Sequence, residues 1–298
     1  MTLAVTSDTV DAFAAAVGSS GPVACAGGRT QWDVGGPVPP CREVSAPAGI
    51  VAYEPAEMTL TCGAGTTLAA LDEALAPAGQ MVPFDHPDGR ATVGGVLAVG
   101  RSGIRRLRYG PVRDLLLAAR VVMADGTVVT AGGPTVKNVS GYDLHRLHVG
   151  ALGTLGFFAE VTLRCLPRPP HSQWFASDRD PFELRWALYR PTAMLWDGAS
   201  TAVLLEGHPA DVEAEALAHG LAPAAGPPEI PSAGRTSHPP ADLRHLTGSF
   251  VAEVGVGVVH WATPPAVEVD PPPSLALQQR LEATFDPDGR LNPGRAVP

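Results

Sequence analysis

The sequence predicts a mixed helix-and-sheet protein of the α+β class, organised in two parts. Its 298 residues are enough for one large domain or two modest ones, with a sizeable core. In the first half, apolar and β-branched segments alternate with helical patterns and with turns rich in glycine. The cluster Pro167-Arg168-Pro169-Pro170 then breaks this pattern, and it marks the predicted domain boundary.

The first elements are a helix and a short strand. Residues 8–17 predict the helix, because Ser7 or Asp8 can cap its first turn and Gly18 can end it. The apolar residues 22–26 predict a strand that runs directly into a glycine turn.

A strand and a second helix follow. The β-branched content of residues 57–62 predicts the strand. Residues 68–76 predict the helix, because Leu68, Leu71 and Leu75 fall on one helical face. Together they predict a βαβ-like unit.

Strands separated by glycine turns are predicted for residues 91–130. Residues 115–123 form the clearest of these strands, and Ala124-Asp125-Gly126 signals a hairpin turn into the next one. A further strand is predicted over residues 157–166.

The second part mixes helices, strands and loop. Its predicted elements are a helix over 180–189, a strand over 202–206, a helix over 211–219, a loop over 221–240, a strand over 250–261 and a last helix before the tail FDPDGRLNPGR. The predicted domains are therefore residues 1–168, residues 169–273, and a C-terminal return to the first domain over 274–298.

Composition excludes several classes of protein. A net charge of −9 disfavours a nucleic-acid binder, because neutralising phosphates needs a basic surface. The four cysteines Cys25, Cys41, Cys62 and Cys165 form no CxxC or Cys/His cluster, so neither a metal site nor an iron–sulfur cluster is predicted. No apolar stretch is long enough for membrane insertion, and we expect a reduced, cytoplasmic protein that reaches a membrane only through partners.

Three glycine-rich segments are candidates for binding a phosphorylated ligand. The backbone N–H groups of residues 26–30 can form a nest for a diphosphate, with residues 92–95 and 102–103 as a second wall and residues 150–156 as a third. Each segment alone is more often an ordinary turn, and only their combination points to a ligand. The fingerprint GxGxxG of Rossmann NAD proteins is absent after the first strand.

Five segments together resemble a known family. They are AGGRT (26–30), EPAEMTLTCGAGTTLAALDEAL (54–75), ATVGGVLAVGRSGIRRLRYGPVRD (91–114), KNVSGYDLHRLHVGALGTLGF (137–157) and FDPDGRLNPGR (285–295). Their order is similar to that of the vanillyl-alcohol-oxidase or PCMH-type FAD-binding proteins, and within them to the flavin subunits of glycolate oxidase. The resemblance covers roughly residues 20–170 and 280–298.

The resemblance implies a PCMH-type FAD-binding domain of two α/β subdomains with a reduced α+β cap. It assigns the cofactor site to a pyrophosphate loop, a flavin wall and an adenine end. The pyrophosphate loop is Ala26, Gly27, Gly28, Arg29, Thr30 and Gln31, and the flavin wall is Thr92, Gly94, Gly95, Gly100, Ser102, Gly103 and Tyr109. The backbone around Gly156 and Phe157 would meet the adenine end, and Gly150, in the third glycine segment, is also a predicted cofactor-binding residue.

Two departures from the family pattern bear on this site. Ala26 stands where the family has glycine, and Gly100 where asparagine is common. Covalent members attach the flavin through a histidine or cysteine of the loop. The loop after Cys25 has neither, which predicts noncovalent FAD. We also expect Gly28 to approach the diphosphate too closely for a side chain.

Charged and basic residues leave alternatives open. The arginines Arg101, Arg105, Arg106, Arg108 and Arg113 either form a solvated face or balance the charge of the diphosphate, the flavin or a substrate carboxylate. Lys137 is either a surface lysine or a cation beside the flavin. His145 and His148 lack a third ligand for a metal site.

A base is needed to oxidise a 2-hydroxy acid. Active relatives carry a motif resembling HxGDGN in the cap. Residues 252–261 keep Gly255 and Gly257 of it but lack its leading histidine and its acidic residue, so His260 is the one weak candidate, with a structural role as the alternative.

The predicted function is the FAD-binding subunit of a glycolate-oxidase-like complex that oxidises a small 2-hydroxy acid. Electrons would pass through the flavin to a second flavin subunit and an iron–sulfur subunit. One alternative is a self-contained FAD-dependent oxidase of an unknown alcohol. Another is a structural subunit that only holds its partners together.

Overall fold

Discontinuous parts of the chain build each of two units in the computed structural model, which describes residues 7–133, 142–265 and 274–296. The first unit comprises Met1–Ser102, Pro111–Pro167 and Asp270–Pro298, and the second comprises Gly103–Gly110 and Arg168–Val269. Residues 103–110, assigned from the sequence to the first domain, thus group with the second unit.

The first unit is built on an antiparallel sheet. The strands of the whole unit are β1 Val23–Cys25, β2 Arg42–Val44, β3 Ile50–Glu54, β4 Thr59–Gly63, β5 Gln80–Met81, β6 Leu116–Val122, β7 Val128–Gly132, β8 Phe157–Arg164 and β9 Leu166–Pro167. The order of the main sheet is β3-β4-β8-β6-β7, while β1-β2 and β5-β9 form separate pairs. The predicted βαβ-like unit is wrong, because β4 has only antiparallel neighbours and β5 belongs to another sheet.

The helices follow the predicted patterns in most places. They are α1 Ser7–Val17, α2 Leu68–Leu75, α3 Val93–Val99, α4 Arg106–Tyr109, α5 Pro181–Ala187, α6 Pro209–His219 and α7 Leu275–Phe285. All three leucines of α2 are buried, as the period of the pattern predicts, and Thr67 caps the helix. No helix in the described part of the chain is long and apolar enough to cross a bilayer.

Helix α3 corrects the prediction of strands over residues 91–110. Thr92 caps α3 by accepting a hydrogen bond from the Gly95 N–H, and Gly100 ends it in the left-handed conformation. Gly94 lies against the first unit's core, since a Cβ there would come within 2.8 Å of the Ala64 Cβ. Close packing on β8 and on Ala64 therefore outweighs the low helix propensity of the two glycines.

The second unit is a seven-stranded antiparallel sheet of order β13-β10-β12-β11-β15-β16-β14. The strands are β10 His171–Ser177, β11 Ala193–Trp196, β12 Thr201–Gly207, β13 Ala222–Ala224, β14 Gly234–Ser237, β15 Phe250–Glu253 and β16 Val258–Trp261. The loop predicted over 221–240 thus contains two strands, and the strand predicted over 250–261 is a hairpin that turns through Gly255 and Gly257, both at positive φ.

The two faces of this sheet differ. One face carries Phe175, Met194 and Val203, which pack with Leu184 of α5 and Val212 of α6 into a buried core. Side chains alternate along a strand, so Glu206 of β12 and Glu253 of β15 point to the other face.

Candidate functional site

Two adjoining cavities lie wholly within the first unit. Their volumes are about 380 Å³ and about 80 Å³, and the larger falls in the range of roughly 300–1,000 Å³ common for ligand sites. Both are lined by Cys25, Gly27, Gly28, Thr92, Gly95, Ala98 and Asn292. The walls are formed by the loop after β1, the start of α3 and the start of β8.

Most of the predicted site residues lie on these walls. Those that line one or both cavities are Ala26, Gly27, Gly28, Arg29, Thr30, Gln31, Thr92, Gly94, Gly95, Gly156 and Phe157. Gly100, Ser102, Gly103, Tyr109 and Gly150 are not among the lining residues. The first and third glycine segments and the start of α3 therefore meet, although they are far apart in the sequence.

Glycine is required in the loop by contacts with the segment at residues 90–92. A Cβ on Gly28 would lie 2.0 Å from the Arg90 carbonyl oxygen, and one on Gly27 would lie 2.3 Å from the Thr92 Oγ1. The turn at residues 88–91 thus packs against the loop. A side chain at Gly28 is excluded by this contact, whatever the loop binds.

Gly100 and Gly150 pack against each other instead. A Cβ on Gly100 would come within 2.7 Å of the Gly150 Cα, and the Gly150 N–H donates to the Leu97 carbonyl. The Ser102 hydroxyl accepts a hydrogen bond from the Val112 N–H. These contacts hold the end of α3 against Gly150 and hold the segment after it against Val112.

A buried carboxylate in the second unit explains part of the arginine run. Glu206 accepts hydrogen bonds from the Tyr109 hydroxyl at 2.7 Å and the Ser172 hydroxyl at 3.1 Å, and its Oε1 lies 3.0 Å from Arg105 Nη1. Arg108 donates to the Glu206 carbonyl oxygen. Burial and the hydrogen bond to Glu206 raise the pKa of Tyr109, so Tyr109 acts as a donor here.

The candidate base has a partner that the sequence motif did not reveal. His260 Nε2 lies 2.8 Å from Glu253 Oε1, across the β15–β16 hairpin. The Glu253 side chain is 4% exposed, and its Oε2 has no hydrogen-bond partner among the described residues. The pair can hold a proton between a carboxylate and an imidazole, which is the arrangement a general base needs.

The remaining histidines of interest are buried and neutral. Burial, and to a smaller degree the neighbouring His145, lowers the pKa of His148 to about 4. The His148 ring packs edge-on against Phe158 and Phe285. Within the described ranges no group of three metal-ligating side chains occurs. Lys137 lies outside the described residues.

Cys25 lines both cavities as a protonated thiol. Burial raises its pKa to about 12. A protonated thiol is a poor nucleophile, so this cysteine is not prepared for a covalent bond to a ligand. Noncovalent attachment of the cofactor stays a prediction.

Sequence reasoning missed the C-terminal side of the site. Asn292 lines both cavities, and Arg295 and Trp32 line the smaller one. The tail FDPDGRLNPGR carried the family resemblance but no assigned role. Its unusual density of Asp, Asn, Gly and Pro was the available signal, since such residues form tight turns held by side-chain hydrogen bonds.

The cavities fit the cofactor that the resemblance implies. Glycine walls bring backbone N–H groups close to a ligand, as a diphosphate requires. The larger cavity extends to Phe157 and Phe158, which offer apolar surface for an aromatic ring system. Arg29 and Arg90 also line the walls, where they form ion pairs with Glu43 and Asp88.

Residues 3–132 match the family of the FAD binding domain. This region is a FAD-binding domain of the PCMH type. FAD is accordingly the cofactor of the domain, and the loop, α2 and α3 all lie within the matched range.

The names of similar proteins refer to hydroxy acids. The chain is 40% identical over 157 residues to the glycolate oxidase subunit GlcE of Escherichia coli (strain K12), which covers 52% of this chain and 45% of that protein. It is 44% identical over 108 residues to D-lactate dehydrogenase of Archaeoglobus fulgidus, covering 36% of this chain and 24% of the relative. The match thus spans less than half of either relative.

The FAD-binding domain shares its fold with solved structures. The chain is similar to alkyldihydroxyacetonephosphate synthase, with a TM-score of 0.66 and 15% identity over 97% of this chain and 74% of the synthase. It is also similar to the Bermuda grass isoallergen BG60, with a TM-score of 0.52 and 19% identity over 70% of this chain and 47% of that one. At these identities the likeness concerns the fold alone.

Proposed function

We propose that this chain is the FAD-binding subunit of a 2-hydroxy acid dehydrogenase complex of the glycolate oxidase type. It holds FAD noncovalently in the cavities of the first unit and passes electrons through the flavin to partner subunits. The observation that carries the proposal is the glycine-walled cavity, most of whose lining residues lie within residues 3–132, the region that matches the FAD binding domain family.

The substrate class is supported by the names of several relatives. Besides the two above, the chain is 34% identical over 121 residues to the glycolate oxidase subunit GlcD of Bacillus subtilis (strain 168) and 35% identical over 148 residues to a D-2-hydroxyglutarate dehydrogenase of Bos taurus. Glycolate, D-lactate and D-2-hydroxyglutarate all carry a hydroxyl beside a carboxylate. A cytoplasmic location, a second flavin subunit and an iron–sulfur subunit belong to this proposal.

The chemistry divides between cofactor and protein. Oxidation of a 2-hydroxy acid to a 2-oxo acid removes the C2 hydrogen as a hydride, which FAD accepts when bound, and releases the hydroxyl proton. The Glu253–His260 pair is the arrangement in the second unit best suited to take a proton. This pair is also the observation that favours the second candidate, a self-contained oxidase.

The cofactor and its attachment are tested by the absorbance spectrum of the purified protein before and after acid precipitation. We expect a yellow protein whose flavin passes entirely into the acid supernatant. A yellow pellet would show covalent attachment, and a colourless protein indifferent to added FAD would refute the cofactor assignment.

The location of the cofactor is tested by Ala98→Leu in α3. Ala98 lines both cavities, and leucine fills part of them while preserving helix propensity. We expect the Kd for FAD to rise at least tenfold. The matched control is Ala70→Leu on the exposed side of α2, which should bind FAD like the wild type.

The need for partner subunits is tested by measuring turnover with and without them. We expect the isolated chain to reduce a dye slowly or not at all with glycolate or D-lactate, and activity to appear on reconstitution with a second flavin subunit and an iron–sulfur subunit. Rapid turnover by the isolated chain that is lost in His260→Ala would favour the self-contained oxidase.

A further inference from the structure

The loop that follows β1 makes few hydrogen bonds of its own. Between residues 26 and 36 the backbone closes only two turns, from Val34 N to the Gln31 carbonyl and from Gly36 N to the Asp33 carbonyl, at 3.2 and 3.4 Å. A loop with so few internal contacts needs support from elsewhere to keep one shape.

Arg295 gives the end of this loop its hydrogen bonds. Its Nη1 donates to the carbonyl oxygens of Val34 and Gly36, and the Ala296 N–H donates to the Gly35 carbonyl at 2.8 Å. Three consecutive carbonyls of the loop therefore bind two consecutive residues near the C-terminus.

The same arginine holds the loop's tryptophan. The Arg295 guanidinium lies 4.9 Å from the centroid of the Trp32 ring, and the Arg29 guanidinium lies 4.5 Å from it. Contacts of this kind stabilise by about 0.5–1 kcal/mol each at exposed sites. Arg29, one of the predicted pyrophosphate contacts, is thus linked to Arg295 through one indole ring.

Asn292 holds the beginning of the loop. Its Oδ1 accepts from the Cys25 N–H at 2.9 Å, its Nδ2 donates to the Leu152 carbonyl at 2.6 Å, and its backbone N–H donates to the Val23 carbonyl. The residue is 8% exposed and has a φ of 43°, a conformation that asparagine tolerates. It joins β1 to the third glycine segment.

The C-terminal segment is itself firmly anchored. Arg290 is 5% exposed and donates to five carbonyl oxygens, those of Val17, Gly18, Ser20, Gly21 and Ala124. The Val23 N–H donates to the Arg290 carbonyl at 2.9 Å. The support for the loop is therefore attached to α1 and to β1.

We infer that Asn292 and Arg295 are positioning residues for FAD, which fix the shape of the loop at residues 26–36 from opposite ends. This rests on the proposal that the cavities hold FAD. Neither residue needs to touch the reacting atoms for this role. Its consequence is that FAD affinity depends on residues outside the 3–132 region that matches the FAD binding domain family.

The test compares Arg295→Ala, Arg295→Lys and Asn292→Gly with the wild type. Glycine keeps the backbone of residue 292 unstrained while removing both side-chain hydrogen bonds. The control is Arg280→Ala, which removes the same charge from the exposed surface of α7. FAD affinity is measured by flavin fluorescence on titration of deflavinated protein, and the melting temperature is measured without FAD.

We expect the Kd for FAD to rise at least tenfold in Arg295→Ala and in Asn292→Gly, and less in Arg295→Lys, while Arg280→Ala binds like the wild type. The melting temperature without FAD should fall by only a few degrees. Wild-type affinity in both Arg295→Ala and Asn292→Gly, with weakened binding in Ala98→Leu, would overturn the inference alone. Wild-type affinity in Ala98→Leu as well would overturn the cofactor location and this inference together.

Discussion

The cavity of the first unit and the glutamate face of the second unit are built in opposite ways. Around the cavity, glycine and alanine dominate the walls, and the main chain of the loop touches the main chain at Arg90. On the sheet of the second unit, Glu206 and Glu253 are buried and are held by side chains. The first arrangement brings main chain to the cavity surface, whereas the second joins charged and polar side chains to one another.

This difference decides which variants should affect stability and which should affect FAD. The largest effect is expected for Glu206→Ala, because it removes the buried carboxylate that Arg105, Tyr109 and Ser172 share. Loss of one partner from a buried ionic network costs about 3–5 kcal/mol, and the partial exposure of Arg105 places the expected loss near the lower value. Urea denaturation measures the free energy of unfolding.

The matched control for this variant is Glu213→Ala, which removes the same charge from the exposed side of α6. It should leave the free energy of unfolding within about 0.5 kcal/mol of the wild type. Equal stability of Glu206→Ala and Glu213→Ala would show that the network at Glu206 contributes nothing to stability.

The second prediction concerns pH and the first unit. The pKa of His148 is about 4 in the folded protein against an ordinary value of 6.5, so the unfolded chain binds a proton first as the pH falls. The free energy of unfolding should therefore decrease between pH 6.5 and 4, by about 3 kcal/mol at most. His148→Leu should flatten this slope, and an unchanged slope would contradict the assignment.

A smaller effect on stability is expected for Gly28→Val. The sequence suggests that this variant would lose FAD and keep its fold, because the loop is a turn at the surface. The 2.0 Å approach to the Arg90 carbonyl changes this expectation. We now expect FAD to be lost together with about 1–3 kcal/mol of stability from overpacking. A variant that melts like the wild type without FAD would show that the loop and Arg90 separate easily.

The cavity could be predicted from the sequence better than the glutamate face could. Glycines are visible in the sequence as a residue type, and Gly27, Gly28 and Gly94, predicted there as ligand contacts, line the larger cavity. The helix at Val93–Val99 was missed because valine and glycine suggest strands and turns, although Thr92 offered a cap. The segment is helical because it packs against Ala64, and a local sequence pattern does not reveal such tertiary packing.

The glutamate face depends on pairs that are distant in the chain. Tyr109 and Glu206 are 97 positions apart, and no local pattern connects them. Glu253 and His260 are only seven apart, yet the strand predicted over 250–261 placed them on one continuous element. Only the hairpin, with its turn through Gly255 and Gly257, brings the carboxylate and the imidazole together.

Asn292 also sets an order of events during synthesis of the protein. The residue it binds at the start of the loop, Cys25, leaves the ribosome 267 residues earlier. At a translation rate of about 5–20 residues per second, this interval lasts roughly 15 to 50 seconds. During that time the loop lacks both Asn292 and Arg295, so a nascent chain cannot yet form the complete FAD cradle. With the inferred role of Asn292 and Arg295, tight binding of FAD begins only after residue 295 has been synthesised.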